Sequence, residues 1–191
     1  MSLTLAGLTG YIDRDLDADL ARWFPDAPRV DVPAETPPIA PFLAKLPAEA
    51  ATALAAFDRR VRSGDLAYFL DIEDWSYAFD FEDNGCQILD TDYETEIPSE
   101  DVWSLGADGG GNYYVVLTDG RVALWFHEEE VIEADTHFDT VDAFVWSLVR
   151  YRAIRNGALA LADVEADFHS LAQPGVLAPQ LGLLATLKAT A

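Results

Sequence analysis

The segment Ala107 to Glu130, ADGGGNYYVVLTDGRVALWFHEEE, limits the fold more than any other part of this chain. Three glycines, Gly109, Gly110 and Gly111, open onto the β-branched and aromatic run Tyr113 to Leu117. Thr118-Asp119-Gly120 follows, then a second apolar run from Val122 to Phe126 that contains Trp125. Asp-Gly between two such runs predicts a β-hairpin. The glycines read as backbone geometry, supplying unusual φ or close approach where a strand begins. A phosphate loop would instead need a helix after the glycines, and a Lys in its nucleotide-binding form. Here a strand follows, no Lys is present, and Asp108 repels phosphate.

Helices are expected on both sides of this hairpin. Ile12, Leu16, Leu20, Trp23 and Phe24 mark one apolar face of a short helix that Pro25 ends. Six prolines between Pro25 and Pro41 predict an extended connector. The Ala-rich run Ala48 to Arg62 reads as a helix, with Pro47 at its first turn and Ser63-Gly64 at its end. Ala67 to Ile72 reads as a short strand. Trp75, Tyr77, Phe79 and Phe81 alternate with smaller or polar residues, which places four aromatics on one strand face. Gln87 to Ile97 is the expected return strand after an Asn84-Gly85 turn. Val141 to Ile154 carries a broad apolar stripe, with Trp146 off its line and Gly157 as cap. Ala158 to Ala172 and Leu177 to Ala189 read as two further helices separated by Pro174-Gly175.

Charge narrows the possible partners. The 191 residues carry 34 acids against 12 bases, a formal net charge of -22. Between Arg62 and Arg121 there is no Lys or Arg, but there are fifteen Asp and Glu. Such a field repels nucleic acid and anionic membranes and attracts basic surfaces. Nucleic acid and membrane are therefore not expected as partners. Two readings of the acidic stretch stand: a solvated face that maintains solubility, and a contact site for a basic protein. For the second, the alternating acids Asp90, Asp92, Glu94 and Glu96 are the first candidates, since strand periodicity would align them. The single Cys86 excludes an intramolecular disulfide framework and fits a reducing compartment. With no signal peptide and no long apolar run read in the sequence, a cytoplasmic location is the expectation.

Chemical motifs are weak by comparison. Counted from Asp90 as a calcium loop, the sixth and twelfth positions are Thr95 and Asp101, where that loop needs Gly and prefers Glu. His127, Asp135 and His137 could be assembled into a metal site, but His127-Glu128 lacks the second His of the helical zinc motif, and His127 reads instead as a polar residue at a strand exit. Ser104 lacks the nucleophile elbow, and acids around Cys86 raise its thiol pKa, the opposite of activation. No catalytic residue, metal or cofactor is assigned. Trp75, Trp103 and Trp125 read as core packing.

The pattern Leu105-Gly106-x-x-Gly109-Gly110-Gly111-Asn112-Tyr113, the turn at Asp119-Gly120, and Val122, Trp125 and His127 before an acidic loop and a helix resemble the SUKH superfamily. That family comprises yeast cell-wall-synthesis regulators and bacterial toxin-immunity proteins. The resemblance spans roughly Leu46 to Asn156. Ser63-Gly64 stands where the family often has Asn-Gly, and the tail from Ala158 has no counterpart in it. The resemblance implies an α+β fold, with a mixed or largely antiparallel sheet against helices. Here residues 1–157 would form that domain, and residues 158–191 would form a C-terminal helical extension packed on it. It further implies a non-catalytic protein-binding domain, most directly an immunity protein that neutralises a cognate toxin, for which the acidic, base-free segment makes a basic nuclease a natural candidate. The alternative is a housekeeping regulatory or scaffold domain with another protein client.

Overall fold

A computed structural model describes residues 2–29, 31–64, 66, 76–133 and 135–189. The strand expected over Ala67 to Ile72, and Trp75, lie outside these residues. The fold is α+β. Helices α1 (Leu5–Leu8), α2 (Tyr11–Arg14), α3 (Leu16–Trp23), α4 (Ala40–Leu43) and α5 (Ala48–Arg62) precede the sheet. Strands β1 (Val102–Ala107), β2 (Tyr113–Leu117), β3 (Val122–Phe126) and β4 (Val131–Ile132) form an antiparallel meander in that order. Helices α6 (Val141–Arg155), α7 (Glu165–Leu171), α8 (Pro174–Leu177) and α9 (Leu183–Ala189) follow. Among the described residues no helix is long and apolar enough to cross a membrane.

The hairpin expected from the sequence is β2–β3. Its turn has three residues: the Arg121 carbonyl accepts from Leu117 N–H, and the Leu117 carbonyl accepts from Gly120 N–H, at 3.0 and 2.8 Å. Gly120 takes φ +90°, the left-handed third residue that such a turn uses. It also lies against α5, where an added Cβ would sit 2.5 Å from the Ala50 methyl.

Both sheet faces are buried, which explains why the strands read as continuous apolar runs. Trp103, Leu105, Tyr114, Val116, Val122 and Leu124 face the helices. Val102, Val115, Ala123, Trp125 and Ile132 face a second cluster completed by Phe81 and Ile88. The aromatic alternation is corrected here, because Tyr77, Phe79 and Phe81 do not share a strand face. Tyr77 packs with Phe57 and Trp103 on the helix side. Phe79 stacks on Tyr113, and Phe81 meets Trp125 edge-on, on the other side. The chain turns at Ala78, φ 55°, and wraps the outer edge of β1. Ala78 N–H donates to the Ser104 carbonyl, and Ser104 Oγ donates to the Ser76 carbonyl, so the edge strand is covered rather than left open.

Helix α6 is the axis of the molecule. Thr140 caps it by accepting from Ala143 N–H, and every residue from Val141 to Val149 is buried. It contacts α1, α2, α3, α5 and α9, so its burial is all-round rather than a stripe, and Trp146 packs edge-on against Phe168 of α7. At its far end the Arg150 guanidinium lies 4.1 Å from the Trp146 ring centroid, 5.1 Å from Trp23 and 5.6 Å from Tyr11. It donates to Asp19 at 2.8 Å, and the Tyr11 hydroxyl donates to the same carboxylate oxygen at 2.7 Å. This cluster latches the N-terminal helices onto α6.

The C-terminal extension shares this core through Val164, Phe168, Leu171, Val176, Leu183, Leu184 and Leu187. Its helices are shorter than expected. Residues 158–160 are not helical, Val164 (φ -132°) and Ala172 (φ 52°) bound α7, and Pro174 starts α8 rather than marking a gap. Gln173, buried, ties the segment to the start of α6: its Nε2 donates to Asp139, and its Oε1 accepts from Asp139 N–H.

Three buried phenols set an alkaline limit. Burial first, then the Asp19 hydrogen bond and charge against the opposing Arg150 charge, raises Tyr11. Burial and Asp58 raise Tyr77, and burial and Asp108 raise Tyr114. A raised folded-state pKa gives stability that is complete below the unfolded value near 10 and is lost as pH climbs toward the folded one. Urea denaturation at pH 9 and pH 11 should therefore show a loss of about 1 kcal/mol per buried phenol at the higher pH.

Candidate protein-binding face

The acids Asp90, Asp92, Glu94 and Glu96 do not line one face of a strand. They form the tip of a tight hairpin. Ile97 N–H donates to the Ile88 carbonyl at 2.7 Å, Asp90 N–H donates to Thr95 O at 2.8 Å, and Leu89 bridges Glu96. The cause is local: Asp90 Oδ1 accepts from Asp92 N–H and Glu94 N–H at 3.2 and 3.0 Å, so the side chain replaces strand pairing with a turn. Its slight burial works against ionisation, but these N–H groups and Thr95 outweigh it and hold the Asp90 carboxyl below its ordinary value. Asp90 is thus spent on the turn, while Asp92, Glu94 and Glu96 are exposed.

The tip is rooted in the sheet. Leu89 N–H donates to Glu130 O and Ile132 N–H donates to Leu89 O, which sets the hairpin beside β4. Trp125, 3 % exposed, donates its indole N–H to Gln87 O at 3.0 Å and so anchors the base of the hairpin from β3. This placement brings Glu129 and Glu130, which follow Glu128 in the chain, against the hairpin, a grouping that the sequence reading missed. Their only signal was a three-acid run directly after the second strand of the hairpin. Glu133 sits nearby. Burial first, then Glu129 and Asp135, pushes its carboxyl above the ordinary range. Arg121 is the single Lys or Arg between Arg62 and Arg150, and its side chain is bound to Asp119 at 2.7 Å.

Tyr93 lies on the hairpin tip beside Glu129 and was also missed. It is 54 % exposed, the one exposed large hydrophobic side chain among the described residues. Its backbone is left-handed, φ 61°, and its hydroxyl donates to Glu129. That hydrogen bond leads the causes raising its phenol pKa. A bulky non-glycine residue at positive φ costs about 1–2 kcal/mol, and such strain concentrates at sites of function.

The glycine triplet supports this end of the sheet as the β1–β2 connection. Gly109 and Gly111 take φ of 87° and 101°, and a Cβ on Gly111 would lie 3.1 Å from the His127 ring. Two N–H groups of this loop are turned onto its own carboxylate: Asp108 Oδ1 accepts from Gly110 N–H at 2.6 Å and Asn112 N–H at 3.2 Å. Asn112 Oδ1 in turn accepts from His127 N–H and lies 2.8 Å from its ring Nδ1, fixing His127 as a polar residue at the strand exit. Asp119 and Gly120 lie in the β2–β3 turn. Cys86 is half-buried, and burial first, then Glu130, raises its thiol. Among the described residues no three His, Cys, Asp or Glu side chains converge on a metal-sized site.

Compared with models of protein families, with curated proteins and with solved structures, the chain matches none.

Proposed function

We propose that this chain is a non-catalytic protein-binding domain that engages a basic partner through the acidic hairpin. We propose further that it is an immunity protein of the SUKH kind, masking a basic toxin. The observation that carries the first reading is a strained, exposed Tyr93 on the acidic hairpin, flanked in the chain by Asp92 and Glu94 and hydrogen-bonded to Glu129. Carboxylates at this density steer a cationic surface into fast encounter, and a central tyrosine supplies the desolvated anchor that interfaces favour. The toxin partner rests on the resemblance of Leu105 to Tyr113, the Asp119-Gly120 turn and Trp125 to that family. A basic nuclease would meet the same carboxylates that repel its nucleic-acid substrate.

Affinity capture from the native cell, run in parallel with the wild-type chain and a Tyr93→Asn variant, tests the reading. Asparagine tolerates the left-handed backbone, so folding stability should stay within about 0.5 kcal/mol of wild type. Affinity for the captured partner should nevertheless fall about 30-fold, the loss of one anchor residue. Recovery of a basic toxin encoded beside this gene supports immunity. A basic client that is not a toxin leaves the binding face intact and points to a regulatory role. A partner bound equally by both chains removes Tyr93 from the account.

A further inference from the structure

A groove of about 530 Å³ opens between α1, α2 and α5, and none of the acidic hairpin residues lines it. That volume suits a small organic ligand. The groove exists because its walls carry small side chains: Ala6 on α1, and Ala50, Ala53 and Ala56 on α5. Leu5 and Ile12 add apolar surface, while Gly120 closes one side. Its floor is Asp142 in the first turn of α6, 5 % exposed. Asp142 Oδ2 accepts from Gly10 N–H at 2.9 Å and Oδ1 from Ile12 N–H at 3.1 Å, so each oxygen keeps a lone pair. Burial, opposed by these two N–H groups, pushes its carboxyl above the ordinary value.

The charges around the groove have one sign in excess. Asp13, Glu49, Asp119 and Asp139 also line it. Asp13 is paired with Arg59, and Asp119 with Arg121. Arg14 lies near Asp142, but its guanidinium is held by Asp15 and by the Gly7 and Thr9 carbonyls. An anion would be repelled, and a neutral apolar molecule would leave the remaining lone pairs of Asp142 unused.

We propose that this groove binds a small primary ammonium compound with a compact apolar body, the ammonium at Asp142 and the body against Leu5, Ile12 and Ala53. The inference is independent of the protein-binding reading and concerns a different part of the molecule. Asp142 also caps α2, and a purely capping role predicts no ligand at all.

Calorimetric titration with tryptamine, its neutral analogue tryptophol and its anionic analogue indole-3-propionate separates the two. Tryptamine should bind at least about tenfold more tightly than tryptophol, and indole-3-propionate should not bind. Amide resonances of Gly10, Ile12 and Ala53 should shift on titration. Ala6→Trp, at an exposed position of α1, should fill the groove and abolish binding while the protein stays folded. Asp142→Asn should weaken tryptamine by about tenfold or more and narrow its advantage over tryptophol. Equal binding of amine and alcohol, no tryptamine binding at millimolar concentration, shifts confined to the acidic hairpin, or binding that survives Ala6→Trp would each overturn the proposal.

Discussion

Arg150→Ala is expected to lower folding stability by about 3–5 kcal/mol, measured by urea denaturation at neutral pH. Two losses combine. Asp19, whose side chain is 16 % exposed, would lose its cation while remaining largely out of water. The rings of Trp146, Trp23 and Tyr11 would also lose the guanidinium that fills the space between them. Arg150→Lys should recover only part of the loss, because an ammonium offers no planar face to the rings. The pair Arg150→Met with Asp19→Leu separates the terms. If the buried unpaired charge dominates, the double variant should be markedly more stable than Arg150→Ala. If the three variants match wild type, the latch does not hold the N-terminal helices.

Gly120→Ala should cost about 2–4 kcal/mol, since it combines left-handed strain with overpacking. The new methyl would sit 2.5 Å from the Ala50 methyl, and φ +90° disfavours any Cβ. Adding Ala50→Gly removes the collision but keeps the strain, and it introduces a glycine into α5 at a cost of about 1 kcal/mol. A thermodynamic cycle across the two sites should therefore show positive coupling of about 1 kcal/mol or more. Strict additivity would mean that the turn does not rest on α5 as described.

Such contacts mark the boundary of what local sequence expresses. Asp119-Gly120 announced a turn, but nothing in it announced Ala50. Helix α5 was legible because Pro47 and Ser63-Gly64 bracket it, and Gly64 takes φ 84° at its end. Helix α6 was legible as a helix, yet its burial on every side depends on segments more than a hundred residues earlier and on the tail that follows. The aromatic alternation at residues 75–81 pointed to a strand face because alanine carries no turn signature, although Ala78 adopts φ 55°. The helix expected over Ala158 to Ala172 ends where α7 does, at Leu171 with Ala172 as cap, but it starts only at Glu165. The acidic hairpin was misread as a strand because period two cannot show that Asp90 would accept from its own chain. The candidate face joins residues 90–96 to 128–130, a pairing fixed by the β4 register and the Leu89 hydrogen bonds rather than by any motif.

The most direct test of the proposed recognition is the association rate of the captured basic partner with wild type and with an Asp92→Lys, Glu94→Lys variant, across ionic strength. Both positions are exposed, so the fold should persist. At low salt the variant should associate about tenfold or more slowly, and the gap should close at high salt as the charges are screened. An unchanged association rate at low salt would contradict it.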